Sequence, residues 1–290
     1  MNAPSAPRTS RRSFLKLGAA TAAAALVLPW ADWLPGAPDP AALRVRSALP
    51  LPGYAALAFP EQLLTRPLHA VDVALVPAYV AAQLIQRGWL RPLEGHPGRA
   101  HDPEGRFTLP YAQRVAAVRF PAEAEAPKTA SWQDLWQAGP RVLWPAAGRL
   151  LAGAALLRRG YSPNDAHPGH LAQAGMDLQQ LRPRLSFQGA EHVEHWERRP
   201  RAAAFVLADP AMIGPANGLR LPGEGTMLIE YDWVITAAAP RTDLARQFLE
   251  PFRAGAPHQR LDLPVRTIPL MPLPPAARAQ HAEIWAALTA

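Results

Sequence analysis

The run Val71-Asp72-Val73-Ala74-Leu75-Val76-Pro77, followed at once by Tyr79 to Arg87 and then Gly88, constrains the fold more than any other stretch. Seven nearly all apolar residues ending at proline read as a strand buried on both faces, as parallel strands are. The residues behind it suit a helix, and Gly88 stands where a helix closes in the left-handed conformation. A strand that feeds directly into a helix is a βα unit. The alternation continues along the chain. Strands are expected at Leu43–Arg46, Phe107–Phe120 (as one or two), Arg141–Trp144 and Arg201–Leu207. Helices are expected at Tyr54–Leu64, Ser131–Trp136, Arg149–Arg159 (stopped by Gly160), His170–Ala174, Thr242–Leu249 and Pro275–Leu288. Ser131 and Asp134 have capping-box spacing. The class is α/β, without internal repeats.

A further strand is expected in MLIEYDWVITAAAP, Met227 to Pro240, and it carries two acids. Side chains two apart on a strand point the same way. Ile229, Tyr231, Trp233 and Ile235 therefore share one face, and Leu228, Glu230, Asp232 and Val234 the other. Either the second face is wet, or its carboxylates meet something cationic or hydrogen-bonding, because a buried carboxylate without a partner is costly.

The N-terminus reads RTSRRSFLKLGAATAAAALVLP. Ser10 to Lys16 resembles a twin-arginine export motif, and the apolar stretch behind it, about a dozen residues ending near Leu28, is short for a permanent span. Residues 1–36 are expected to be a signal peptide, with the twin-arginine translocase as partner during export and a periplasmic or extracellular destination. The chain has no cysteine, so a lipid-anchored form and disulfides are not expected. Without residues 1–36 there remain 26 basic and 22 acidic residues, with Lys128 the only lysine. The arginines are scattered apart from Arg198, Arg199 and Arg201, which suit a solvated face, so no nucleic-acid partner is expected.

Five stretches in order resemble the solute-binding proteins of ABC importers, of the spermidine/putrescine-binding type. They are VDVALVPAYVAAQLIQRGWLRPLEG, FTLPYAQRVAAVRFP, TASWQDLWQAGPRVLWP, ALLRRGYSPNDAHPGHLAQA and EYDWVITAAAPRTDLARQFLEPF, together covering about Leu43 to Phe252. The resemblance implies a two-lobed periplasmic-binding-protein-like fold, with strands crossing a hinge and a ligand cleft between lobes. Lobe one would comprise residues 42–112 and 232–268, and lobe two residues 113–231 and 269–290. It implies a monomer that captures a small, amine-bearing solute and delivers it to a membrane permease, with no cofactor, no metal and no catalysis.

On this resemblance Asp232 holds the position of a carboxylate that meets a ligand amine, Glu230 replaces a tryptophan, and Tyr79 matches a tyrosine of the first lobe. Tyr111 on the crossing strand, Trp144 at a strand end and Asp209 beside the Arg201–Leu207 strand are further expected ligand contacts. The chain departs from the pattern at Pro145-Ala146-Ala147-Gly148-Arg149-Leu150, where two acids are absent and an arginine stands. A long dication needs a carboxylate at each end and aromatic faces between, and this chain would offer acids at one end only. Other readings are a surface helix or a metal site at His192-Val193-Glu194-His195, a degenerate binding protein acting as an interaction or sensory partner, and a secreted hydrolase. The last lacks a Gly-x-Ser-x-Gly motif, a cysteine nucleophile and a phosphate loop.

Overall fold

The structure, a computed structural model, describes residues 43–49, 51, 54–57, 60–64, 71–93, 95–96, 98–120, 129–138, 142–188, 203–214, 217–253 and 262–290. The signal-peptide reading and the readings of His192–His195 and of Arg198, Arg199 and Arg201 lie outside these residues.

The chain begins with β1 (Val45–Ser47), β2 (Ala55–Ala56), β3 (Val73–Pro77) and α1 (Ala78–Gln86). Then follow β4 (Leu109–Arg119), α2 (Gln133–Gln137), β5 (Val142–Pro145), α3 (Gly148–Arg158), α4 (Pro168–Leu181), β6 (Leu185–Gln188), β7 (Ala203–Ala208) and β8 (Leu219–Arg220). The last elements are β9 (Thr226–Ile235), α5 (Thr242–Arg253), β10 (Thr267–Pro269) and α6 (Pro275–Thr289). Glycines at φ 67° (Gly88) and φ 80° (Gly160) end α1 and α3, as the sequence predicts.

The strands join in one sheet in the order β2-β1-β3-β9-β4-β7-β5-β6, with β10 beside β9 and β8 beside β4. The outer pairs β2–β1–β3 and β7–β5–β6 are parallel, and the middle of the sheet is antiparallel. Two strands therefore belong to both halves of the molecule. The first half of β4 pairs with β9, from Leu109↔Trp233 to Val115↔Leu228, with a register shift between Pro110 and Ala112. Its second half pairs with β7, from Val115↔Ala208 to Arg119↔Ala204. The end of β9 turns to β3, Val73↔Ile235 to Pro77↔Tyr231. Two lobes result: β1–β3 with α1 and α5, and β5–β7 with α2, α3, α4 and α6, joined by β4 and β9.

Val73 to Val76 are fully buried, as the apolar run requires. In the second lobe the sheet is covered on both sides. One face joins the main core with Leu151, Leu171 and Leu178 of the packed helices, and the other forms a smaller cluster of Val115, Ala117, Leu143, Val206 and Leu228. One expected helix does not form. Among the described residues of Tyr54–Leu64 the chain makes the two-residue β2 and a short 3₁₀ turn at Pro60–Leu64. Pro60 disfavours helical backbone at the position before it, and burial of Leu63 and Leu64 needs only the single turn. The expected His170–Ala174 helix extends over all of α4, with Pro168 in its first turn.

Asp72 fastens the first lobe. Its buried carboxylate accepts from the Arg44 backbone N–H (2.9 Å), from the Arg44 guanidinium (2.7 Å) and from Arg241 (2.7 Å), just ahead of α5. Burial alone would raise its pKa, but the two guanidiniums and the backbone donor outweigh that and hold it below 3.8. Asp72→Ala is expected to lower stability by about 3 kcal/mol, the low end for breaking a buried charge pair because both arginines are partly exposed. Urea unfolding monitored by tryptophan fluorescence measures it.

Candidate functional site

The two acids of β9 meet basic side chains of the chain itself. Asp232 is fully buried, with one carboxylate oxygen 3.2 Å from the Arg99 guanidinium and the other 2.9 Å from His101 Nε2. These are ion-pair distances without hydrogen-bond alignment. Glu230, on the same face, lies 3.6 Å from Arg99 and accepts from Gln113 Nε2 at 3.2 Å. Burial lowers the pKa of Arg99, and the two carboxylates oppose that.

Arg99 and His101 arrive on a loop that Asp102 organises. Its carboxylate accepts from the backbone N–H groups of Arg106 (3.0 Å), Phe107 (2.8 Å) and Thr108 (2.9 Å) and from the Thr108 hydroxyl (3.0 Å). Burial pushes this carboxyl up, and the four donors bring it below 3.8. Backbone bonds between Arg99 and Asp102 close the turn, with Arg99 N–H to Asp102 C=O at 2.8 Å and Asp102 N–H to Arg99 C=O at 3.0 Å.

A second polar group lies where the lobes meet. Tyr79 on α1 is buried and its hydroxyl donates to Glu61 at 2.6 Å. Burial lifts the Tyr79 pKa well above 10, and Glu61 adds to the rise. Arg149, in the first turn of α3, interacts electrostatically with both residues from the other lobe. It is itself buried, which pulls its pKa down to about 10 against the opposing pull of Tyr79 and Glu61. Its guanidinium donates to neutral oxygens: the Pro163 carbonyl, Asn164 Oδ1 (2.7 Å) and the Met271 carbonyl (3.4 Å), while Nε has no hydrogen-bond partner. His281 of α6 is buried nearby. Burial, and then the charge of Arg149, push its pKa down to about 3.

One turn beyond Tyr79, Gln83 Nε2 donates to the Tyr79 carbonyl (3.1 Å), and its oxygen accepts from Arg278 of α6. Gln83, Gln86, Arg87, Leu273 and Arg278 line a cavity of about 300 Å³ between α1 and the segment leading into α6.

The remaining expected site residues are dispersed. Tyr111 is half-buried, edge-on to Trp233 (5.6 Å) and Phe252 (5.7 Å). Trp144 is buried in the second lobe between Trp136 (5.3 Å) and Phe205 (5.4 Å). Asp209 is half-exposed, paired with Arg114 at 3.1 Å, and caps the short Pro210–Met212 turn through the Ala211 N–H (3.0 Å). Of the six, only Glu230 and Asp232 share a partner, and Tyr79 alone reaches the seam between lobes. Sequence reasoning missed Glu61, Gln83, Arg87, Arg99, His101, Arg278 and His281. The stretch Pro145–Leu150, where two expected acids are absent and Arg149 stays, was the one sequence signal that lies at the seam. Among the described residues no three acidic or histidine side chains form a metal-holding group, and no helix is long and apolar enough to cross a membrane.

No family model matches the sequence, and no curated protein matches it. Solved structures do. A Listeria monocytogenes protein described as a spermidine/putrescine ABC transporter matches with a TM-score of 0.67 at 16% identity, over 81% of this chain and 90% of that one. The TpPotD lipoprotein of Treponema pallidum gives 0.62 at 19% identity, over 81% and 90%. A periplasmic thiamin-binding protein gives 0.58 at 15% identity, over 85% and 94%. The fold is that of the two-lobed periplasmic binding proteins.

A Cβ on Gly98 would sit 1.8 Å from the Pro103 carbonyl oxygen, so Gly98→Ala must open the loop that carries Arg99 and His101. A loss of about 1–3 kcal/mol is expected, with faster amide exchange across residues 98–108. His281 is neutral in the folded state and free to protonate when unfolded, near pH 6.5. The stability it lends is complete above pH 6.5 and is lost as the pH falls toward 3. His281→Leu should therefore flatten the acid limb of a stability–pH curve, by on the order of 2 kcal/mol between pH 6.5 and 4.5.

Proposed function

We propose that the chain is the exported solute-binding component of an ABC importer, closing two lobes on a small solute and presenting it to a membrane permease. The reading takes residues 42–112 with 232–268 as lobe one and 113–231 with 269–290 as lobe two. The twin-arginine motif supplies the route to the periplasm or cell exterior. The observation that carries the reading is the buried polar seam. Tyr79 and Glu61 from one lobe face Arg149 from the other, and the lobes are joined by two strands that can flex as a hinge. Buried polar groups from two bodies, incompletely satisfied by each other, are what a cleft for a polar ligand presents.

In this reading Tyr79 is a ligand contact. Asp232 and Glu230 hold the Gly98–Thr108 loop over the crossing strands, because Arg99 and His101 already occupy the place of a ligand amine. Trp144 and Tyr111 brace the two lobes internally, and Asp209 fixes a surface turn.

Native mass spectrometry of the mature protein from its own host's periplasm, with mild denaturation to release any bound molecule, tests the reading. A released small molecule that raises the melting temperature when added back is expected. Tyr79→Phe should then weaken its binding about tenfold, equal to ~1.4 kcal/mol, with little change in the apo melting temperature. A clean apo mass and no thermal shift from any small solute would instead favour a binding fold that serves as an interaction partner.

A further inference from the structure

Several arginines of this protein meet a buried acid: Arg44 and Arg241 pair with Asp72, Arg158 and Arg159 with Asp177, and Arg99 with Asp232. Others, such as Arg184 on the Ala138 and Trp136 carbonyls, bond neutral oxygens, and three of that second kind stand along the seam between lobes. Arg149 donates only to carbonyl and amide oxygens. Arg278 donates to the Gln83 amide oxygen. Arg87 donates to the Leu64 carbonyl and lies 4.9 Å from the centre of the Trp89 ring. The acid of this region, Glu61, is taken by the Tyr79 hydroxyl. Among the described residues, none of the three guanidiniums has a carboxylate within ion-pair distance.

The buried Arg149 has only the Tyr79-bound Glu61 acting on it as a counter-charge, which is unfavourable unless something more compensates it. Arg278 is half-buried beside the like charge of exposed Arg87, and burial and then that charge both lower its pKa. The compensating group has a place to sit. Arg87 and Arg278 flank the cavity of about 300 Å³, with Gln83 and Gln86 on the same wall as neutral donors. The Met271 carbonyl that accepts from Arg149 directly precedes Pro272, another wall residue. Guanidiniums are planar forks matched to two-oxygen acceptors, so the chemistry they select is that of an oxyanion.

We propose that the solute is an oxyanion, a small carboxylate or phosphate compound, held between the lobes by Arg87 and Arg278 and stabilised from behind by the buried charge of Arg149. The assignment rests on the binding-protein reading above and adds its ligand class. It inverts the polarity expected from resemblance to polyamine binders, and the internal pairing of Asp232 with Arg99 and His101 agrees with that inversion. An amine entering this seam would meet three like charges and a carboxylate that is already engaged.

The test is calorimetric titration and thermal shift on the full mature chain at low ionic strength. Inorganic phosphate and succinate serve as the two anionic probes, and spermidine and arginine as cationic ones. The expected result is a positive thermal shift and saturable binding for at least one anion, weakening as chloride is raised, with no response to spermidine. Arg87→Gln and Arg278→Gln should each weaken that binding tenfold or more. Arg87 is exposed, so its variant separates loss of binding from loss of folding. Response to phosphate but not succinate would assign a phosphate-bearing solute, and the reverse a carboxylate. Binding of spermidine or arginine without either anion would overturn the oxyanion assignment and leave the solute-binding reading standing. Anion binding unchanged in both glutamine variants would overturn the placement. Silence from all four probes, with no solute released from the native protein, would remove both.

Discussion

The antiparallel ladder between β4 and β9 is the interaction on which everything else hangs. Both lobes draw strands from it: β3 continues the sheet from the end of β9, and β7 continues it from the second half of β4. On β9 the residues Ile229 to Ile235 are buried except Glu230, while on β4 the facing stretch Tyr111 to Arg114 is half-buried between the buried Leu109–Pro110 and Val115. The ladder cannot slip its register without turning the apolar side chains of β9 into the wrong layer. The register shift between Pro110 and Ala112 is confined to the first-lobe end, where Pro110 has no N–H to give to the sheet.

Much of the scaffold was legible because it rests on local rules. A continuous apolar run closed by proline became β3, and glycines behind two apolar segments became the left-handed ends of α1 and α3. The spacing of Ser131 and Asp134 became a reciprocal bond, with the Asp134 carboxylate accepting from the Ser131 N–H at 2.8 Å. What escaped notice lacked periodicity. β2, β8 and β10 are two or three residues long, and strands that short carry no alternation to read. The Tyr54–Leu64 segment has helix-like composition, yet Pro60 and the local demand for only two buried leucines gave a turn.

The site was harder to read, for a different reason. The alternation of β9 did show that Glu230 and Asp232 share a face that is either wet or meets a cation or hydrogen-bond donor. The partners, Arg99 and His101, sit about 130 residues earlier in a loop with neither helical nor strand period, held by donors around Asp102. Pairing at that separation leaves no mark in local sequence. The seam was hidden in the same way: Glu61, Tyr79, Arg149 and Arg278 come from four segments, and only the fold makes them neighbours. Contacts at such separations are something composition cannot display.

The clasp at Asp72 also sets an order of assembly. Arg241 stands 169 residues beyond Asp72, and β3 has no antiparallel neighbour until β9 exists. At translation rates of roughly 5–20 residues per second, the wait is about 10–30 s. During that interval the most apolar strand of the chain has an open edge and its flanking carboxylate lacks one of its two guanidiniums. The nascent chain is therefore exposed to mispairing for most of its synthesis, and its first lobe, begun at β1, closes only after most of the second has been made.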